Sequence, residues 1–192
     1  MQEFFDNLLG VPGLTDIIAQ TCGIIGMAIS ILSFQCKSNK IFFLMLSGCS
    51  TMFILNFLLI GAFGSAFFNV VGLARGVLFM KNDKKKWKLI LIEMLFIAAF
   101  IISAILDHSV KQLILTSLTG TALLVITVFM WQGNARKIRT VQICCASPAW
   151  LVNNFINFSL GGILCEIFNI VSSFIFLLRT RKIANIDAQI QK

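Results

Sequence analysis

Glu166 and the asparagines Asn56, Asn69, Asn153, Asn154, Asn157 and Asn169 lie in the most apolar parts of this chain, where a side chain that must shed water is costly. An amide brings two donors and an acceptor, and a carboxyl adds a transferable proton. Such groups facing one space could hold a small polar solute and move a proton with it. The same asparagines could instead bond across neighbouring helices as packing, at about 0.6 kcal/mol each. Phe53 and Trp150 could wall such a space or simply pack. Glu166 stands about 9 Å from the start of its apolar run at 1.5 Å per residue, too deep for a short side chain to reach the surface, so it must be protonated, paired or wetted. Arg75 is long enough to snorkel to the nearby interface, or it could pair with Glu166 or attract an anion. Glu93 lies a turn from Lys88 and reads as interfacial.

Other chemistry is not expected. There is a single histidine, His108, and no Ser/His/Asp set, H-E-x-x-H or cysteine cluster of zinc spacing, so neither an enzyme nor a metal or other cofactor is foreseen. Five of the six cysteines, Cys22, Cys49, Cys144, Cys145 and Cys165, sit in apolar runs and Cys36 at a basic turn, which predicts free thiols. The net charge of +8 comes from residues at the ends of apolar runs, without the aromatic-studded polar surface that nucleic acid requires.

The elements that must position the polar groups are transmembrane helices. Residues are 58% hydrophobic and 12% charged, with mean hydropathy +0.91, so lipid rather than water is the solvent. Apolar runs cover 17–35, 41–60, 63–80, 89–106, 113–131, 141–159 and 160–178. Glycines at Gly61, Gly64, Gly161 and Gly162 divide the second run from the third and the sixth from the seventh, predicting two tight hairpins. The first residues lack the positive stretch of a cleaved signal peptide, so the first span is expected to be retained, and the segment before Pro12-Gly13 could lie along the interface.

Basic residues set the direction. Lys37 and Lys40, then Lys81, Lys84, Lys85, Lys86 and Lys88, then Arg136, Lys137 and Arg139, and finally Arg179, Arg181, Lys182 and Lys192 fall on one side, against Lys111 on the other. That predicts seven spans with the N-terminus outside and a cytoplasmic C-terminus. Lys84, Lys85 and Lys86 could also meet anionic lipid headgroups at about 1 kcal/mol each.

The chain also matches itself at a shift of 97 residues, which carries Gly23 onto Gly120, Ile29 onto Ile126, Gln35 onto Gln132 and Lys40-Ile41 onto Lys137-Ile138. The same shift carries Ser50 onto Ser147, Asn56 onto Asn153, Gly64 onto Gly161 and Phe79 onto Phe176. Asn69 and Glu166 become equivalent, as do Phe53 and Trp150. The predicted fold is therefore an all-α integral membrane protein of seven helices, two parallel three-helix repeats joined by a linker helix. Its parts are an outer segment (1–16), a first bundle (17–80), a basic loop with the linker helix (81–112), a second bundle (113–178) and a basic cytoplasmic tail (179–192).

Two resemblances follow. The chain, above all Ser33-Phe34-Gln35-Cys36-Lys37-Ser38 and the stretch from Phe63 to Arg75, resembles the YgjV family of bacterial inner-membrane proteins. The three-plus-one-plus-three plan is similar to the SWEET facilitators and the PQ-loop group. Their Pro-Gln pair appears as Phe34-Gln35 and Trp131-Gln132, and their W-x-x-Y-G as Phe57 to Gly61 and Asn154 to Phe158. Their third-helix asparagine, with glycine three residues later, appears as Asn69 and Gly72, opposite Glu166 and Asn169. The resemblance implies a facilitator or proton-linked carrier of a small polar solute, working by rocking of two bundles. Asn69, Glu166, Asn169, Asn56, Asn153, Phe53 and Trp150 would bind the solute, and Gln35, Gln132 and Pro148 would act at hinges. With no tyrosine in the chain, it does not extend to a sugar. The alternative is a non-transporting partner or lipid-binding protein that reuses the fold. A retinal protein is excluded, since the seventh run has no lysine for a Schiff base.

Overall fold

The computed structural model describes residues 13–33, 39–81, 83–106 and 109–190. The described residues form α1 (Leu14–Ser33), α2 (Asn39–Leu59), α3 (Phe63–Phe79), α4 (Lys86–Leu106), α5 (Val110–Gln132), α6 (Ala135–Val141), α7 (Ser147–Ile156) and α8 (Leu160–Ile190). A π-helical turn, Gln142–Ala146, fuses α6 to α7. Helices are the expected answer for an apolar chain in lipid, because each closes its own backbone hydrogen bonds where no water can. By length and composition, α1, α4, α5 and Leu160–Arg181 of α8 can cross a membrane, while Leu44–Leu59 and Phe63–Phe79 are shorter apolar helices. The exposed face of α4 carries Ile90, Met94, Ile97, Ile101 and Ile105, a helical stripe that only lipid would solvate well.

The sixth run holds the π turn and α7, where Ser147 N–H reaches back to Gln142 O, and α6 stands before it. The last helix, α8, runs on through the basic stretch to Ile190, since nothing after Gly162 is glycine or proline to stop it.

The two hairpin turns match bond for bond at the same 97-residue shift. In the first, Ile60 N–H donates to Asn56 O, Gly61 N–H to Leu58 O and Ala62 N–H to Phe57 O; in the second, Asn157 donates to Asn153 O, Phe158 to Phe155 O and Ser159 to Asn154 O. Gly61 has φ +76° and Phe158 φ +55°, so a phenylalanine occupies the left-handed position that glycine fills more easily.

Each helix packs on its chain neighbour, and α8 closes back on α1 while α3 meets α5. Glycine makes both of these seams close. A Cβ on Gly161 would overlap the backbone of Gly23 and Ile24 in α1. At the other seam, a Cβ on Gly64 would come 2.8 Å from Thr116 Oγ1, and one on Gly120 would come 3.0 Å from Phe68. Small residues let helices approach where dispersion, not water, drives association. One apolar core joins Phe68, Val71, Ile92, Phe96, Ala99, Leu123 and Ile126 across α3, α4 and α5. Another joins Cys49, Phe53, Phe57, Ala62, Ala66 and Cys165. The five described cysteines are free, and Cys36 lies outside the described residues.

Candidate functional site

Inside this ring of helices lies a cavity of about 590 Å³. Its mouth is formed by Met80 at the end of α3 and by Gly133 and Ala135 where α5 turns into α6, the latter two exposed. It runs past Arg75, Arg139 and Gln142 to Asn69, Glu166 and Asn169, and ends against Phe57, Trp150, Asn154 and Gly162. The volume is that of a small-molecule site.

Glu166 is held by a relay from the π turn. Gln142 Nε2 donates to Ser147 Oγ at 2.7 Å, and Ser147 Oγ donates to Glu166 Oε2 at 2.5 Å. Asn169 Nδ2 adds a longer contact of 3.4 Å to the same oxygen. Both bonds to the carboxyl end on Oε2, which leaves Oε1 for the cavity. The π turn matters here because its extra residue sets Gln142 five positions before Ser147 on one side of the helix, a distortion common at functional sites. Asn69, on the facing wall, turns its Nδ2 to Ser65 O of its own helix at 2.9 Å and lines the cavity.

Two guanidinium groups enter the same space. Arg75 does not snorkel away: its Nη1 donates to the buried Thr127 Oγ1 at 2.8 Å and its guanidinium lies 5.6 Å from the centre of the Phe96 ring. These anchors on α5 and α4 are stronger competitors than an interface several residues away. Arg139 donates to Ser173 Oγ at 3.3 Å and lies 5.7 Å from the Phe176 ring. Glu93, which reads from the sequence as interfacial, has a buried Oε1 without a hydrogen-bond partner and interacts electrostatically with Arg75 from behind.

The far end is closed. Phe57 is 1% exposed and its ring lies 5.8 Å from Trp150 and 6.1 Å from Phe53. Beyond these rings Asn56 bridges three elements, donating to Ala19 O at 2.8 Å and accepting from Ser159 Oγ at 2.7 Å. Asn153 accepts from Ser65 Oγ at 2.9 Å and from Asn157 Nδ2 at 3.0 Å. Asn157 in turn accepts from Gln112 Nε2, and Gln20 clamps the second turn through Phe158 O and Leu160 N–H.

Of the proposed solute-binding residues, then, Asn69, Glu166, Asn169, Phe53 and Trp150 share the cavity, together with Arg75. Asn56 and Asn153 are not among the residues that line it: the Asn56 amide bonds Ala19 O and Ser159 Oγ, and the Asn153 Oδ1 accepts from Ser65 and Asn157. Of the hinge candidates, Gln35 lies outside the described residues, Gln132 is exposed beside the left-handed cap Gly133, and Pro148 is exposed two residues after the π turn. Lys84, Lys85 and Lys86 are exposed, and Lys88 is buried against Leu78 O and Asp83.

Sequence reasoning missed Gln142 and Arg139 as cavity groups, and Ser147 as the residue that holds Glu166. Ser147 carried a signal as the repeat partner of Ser50, which lines the cavity. Arg139 had been absorbed into the charge count at the helix ends. Asn154 Oδ1 is buried without a partner at the cavity's end, packed against Gly162.

Apolar helices around a partly polar cavity define an all-helical membrane protein. The family described as Imp-YgjV, bacterial inner membrane protein, matches residues 17–183, and the chain belongs to it. No curated protein and no solved structure matches the chain.

Proposed function

We propose that this inner-membrane protein carries a small polar solute by alternating access between two parallel three-helix bundles, α1–α3 and α5–α8, with α4 as linker. The observation that carries the reading is that Asn69 and Glu166, equivalent under the 97-residue shift, line one cavity between the two halves. The matching hairpin turns and the glycine seams where α1 meets α8 and α5 meets α3 support the repeat. Asn154 Oδ1 supports a polar occupant, since a buried acceptor without a partner costs about 1–3 kcal/mol.

The basic loops support a periplasmic N-terminus and a cytoplasmic C-terminus. In that orientation the mouth beside Gly133 and Ala135 faces the cytoplasm, the Phe57–Trp150 contact closes the periplasmic side, and the state is inward-facing. The exposed Lys84, Lys85 and Lys86 would face anionic headgroups on the cytoplasmic leaflet. Nothing in this scheme calls for catalysis or a cofactor.

Flux of a panel of radiolabelled polar solutes into proteoliposomes tests the reading. Asn69→Ala and Glu166→Gln should each reduce flux about tenfold, the worth of one hydrogen bond of about 1.4 kcal/mol. Flux indifferent to both substitutions would remove this cavity as the route.

A further inference from the structure

Two crossed hydrogen bonds fasten the bundles together behind the closed end of the cavity. Asn56 of α2 accepts from Ser159 Oγ, just ahead of α8, at 2.7 Å, and Asn153 of α7 accepts from Ser65 Oγ of α3 at 2.9 Å. The two asparagines are partners under the 97-residue shift, and each bundle lends a serine to the asparagine of the other. The wiring is not fully symmetric, since Ala62 and Gly162 stand where the shift would put a second pair of serines. All four side chains are buried. Asn56 and Asn153 directly precede Phe57 and Asn154, the residues on which the cavity ends. Gln20 crosses the same junction to Phe158 O and Leu160 N–H, but it is half-buried, where water can replace it.

We propose that these two serine–asparagine bonds are the latch that keeps the cavity shut at its Phe57–Trp150 end, and that breaking both opens it there. This rests on the carrier reading of the same cavity. The bonds are built to part. Each asparagine stays held within its own bundle, Asn56 by Ala19 O and Asn153 by Asn157 Nδ2. A released serine hydroxyl can turn back to a carbonyl of its own chain, as Ser103 and Ser117 do to the residue four before them. Opening this end also admits water to the Asn56 oxygen, so no amide is left dry. Beside the latch Gly161 lies directly on Gly23, a contact with no side chain to disengage.

Cys49 and Cys165 line the cavity and report from which face it can be entered. The full chain, with Cys22, Cys36, Cys144 and Cys145 replaced by alanine, is placed in sealed right-side-out and everted membrane vesicles and treated with the membrane-impermeant 2-sulfonatoethyl methanethiosulfonate. The parent thiols should react from one face and be shielded from the other. With Ser65→Ala and Ser159→Ala together, labelling from the shielded face should rise at least about threefold and labelling from the first face should fall, as a shift between two populations requires. Ser159 also accepts from Gly162 N–H at the start of α8, so the double variant could fail to fold. Ser65→Ala alone leaves Asn153 bonded to Asn157 and should then give a smaller shift in the same direction. Labelling of the double variant, or of Ser65→Ala in its stead, that matches the parent at both faces would overturn the latch, as would labelling that rises at both faces in the manner of a loosened fold; either leaves the carrier reading standing. Parent thiols that the reagent reaches from neither face would overturn both.

Discussion

Asn56 and Asn69 carry the same side chain in similar apolar surroundings, and what separates their roles is reach. Asn56 lies where α1, α2 and the second hairpin turn converge, so a carbonyl and a hydroxyl of other elements saturate it. Asn69 meets only its own helix through one donor and keeps the rest of its amide for the cavity. Truncating the first should therefore cost stability and truncating the second should cost function. Asn56→Ala leaves the Ser159 hydroxyl and the Ala19 carbonyl to find new partners in a dry site. It should lower unfolding stability in detergent by about 1–3 kcal/mol, and Asn69→Ala should stay within about 0.5 kcal/mol of the parent. The two roles coming out reversed in thermal unfolding would contradict the assignment. Sequence alone left both asparagines as solute candidates, because hydropathy registers the cost of burial and not the partner that offsets it.

At the level of elements, the junction between α3 and α4 is locked by charge. Lys88 is 6% exposed, with Nζ donating to Leu78 O at 2.9 Å and to Asp83 Oδ1 at 2.7 Å. The hydrogen bond from Lys88 holds the Asp83 carboxyl below the ordinary aspartate value, with Lys85 adding attraction at 4.0 Å. A depressed carboxylate stabilises the fold at pH values above its unfolded value of about 3.9, and that contribution is lost as pH falls through the lower folded value. Asp83→Asn should thus lower the melting temperature at neutral pH and flatten its fall below about pH 4, measured by a detergent melt at stepped pH. A variant whose melting curve still falls with acid as the parent's does would assign the effect elsewhere. The charge run of this loop was legible as a topology signal. Its internal bracing was not, since the pairing of Lys88 rather than Lys84 or Lys86 depends on where the first turn of α4 points. The π turn before Pro148 was equally hidden: proline marks a break in a helix, but not on which side the extra residue is accommodated.

For the whole molecule, the glycines divide into those that bring helices together and those that leave room. Gly161 touches the α1 backbone directly, whereas a Cβ at Gly72, on the cavity wall, would meet nothing within 4 Å. Gly161→Ala should push α8 from α1 and cost about 1–3 kcal/mol through overpacking. Gly72→Ala should hold or raise stability, by up to about 1 kcal/mol from helix propensity, while narrowing the cavity. Melting both variants beside a solute-flux assay separates the outcomes, and equal stability of the two would argue against a close α1–α8 seam. The repeat had already paired Gly23 with Gly120 and Gly64 with Gly161 along the chain. Their packing on opposite sides of the ring, α1 on α8 and α5 on α3, is a tertiary fact.

From the sequence by itself came the apolar helices, the two hairpins, and the equivalence of Asn69 with Glu166, because helix length, turn glycines and a 97-residue self-match are local or linear properties of the chain. Tertiary structure decided which polar groups share a space. Asn56 and Asn153 went to the seams, Arg139 came in from the basic stretch before the sixth run and Gln142 from the run itself, and Arg75 turned toward Thr127 and Phe96. The physical reason is that a side chain costly in lipid has several ways to be satisfied. Only the positions of neighbouring helices determine whether it meets a carbonyl, a hydroxyl, an aromatic face or an open cavity.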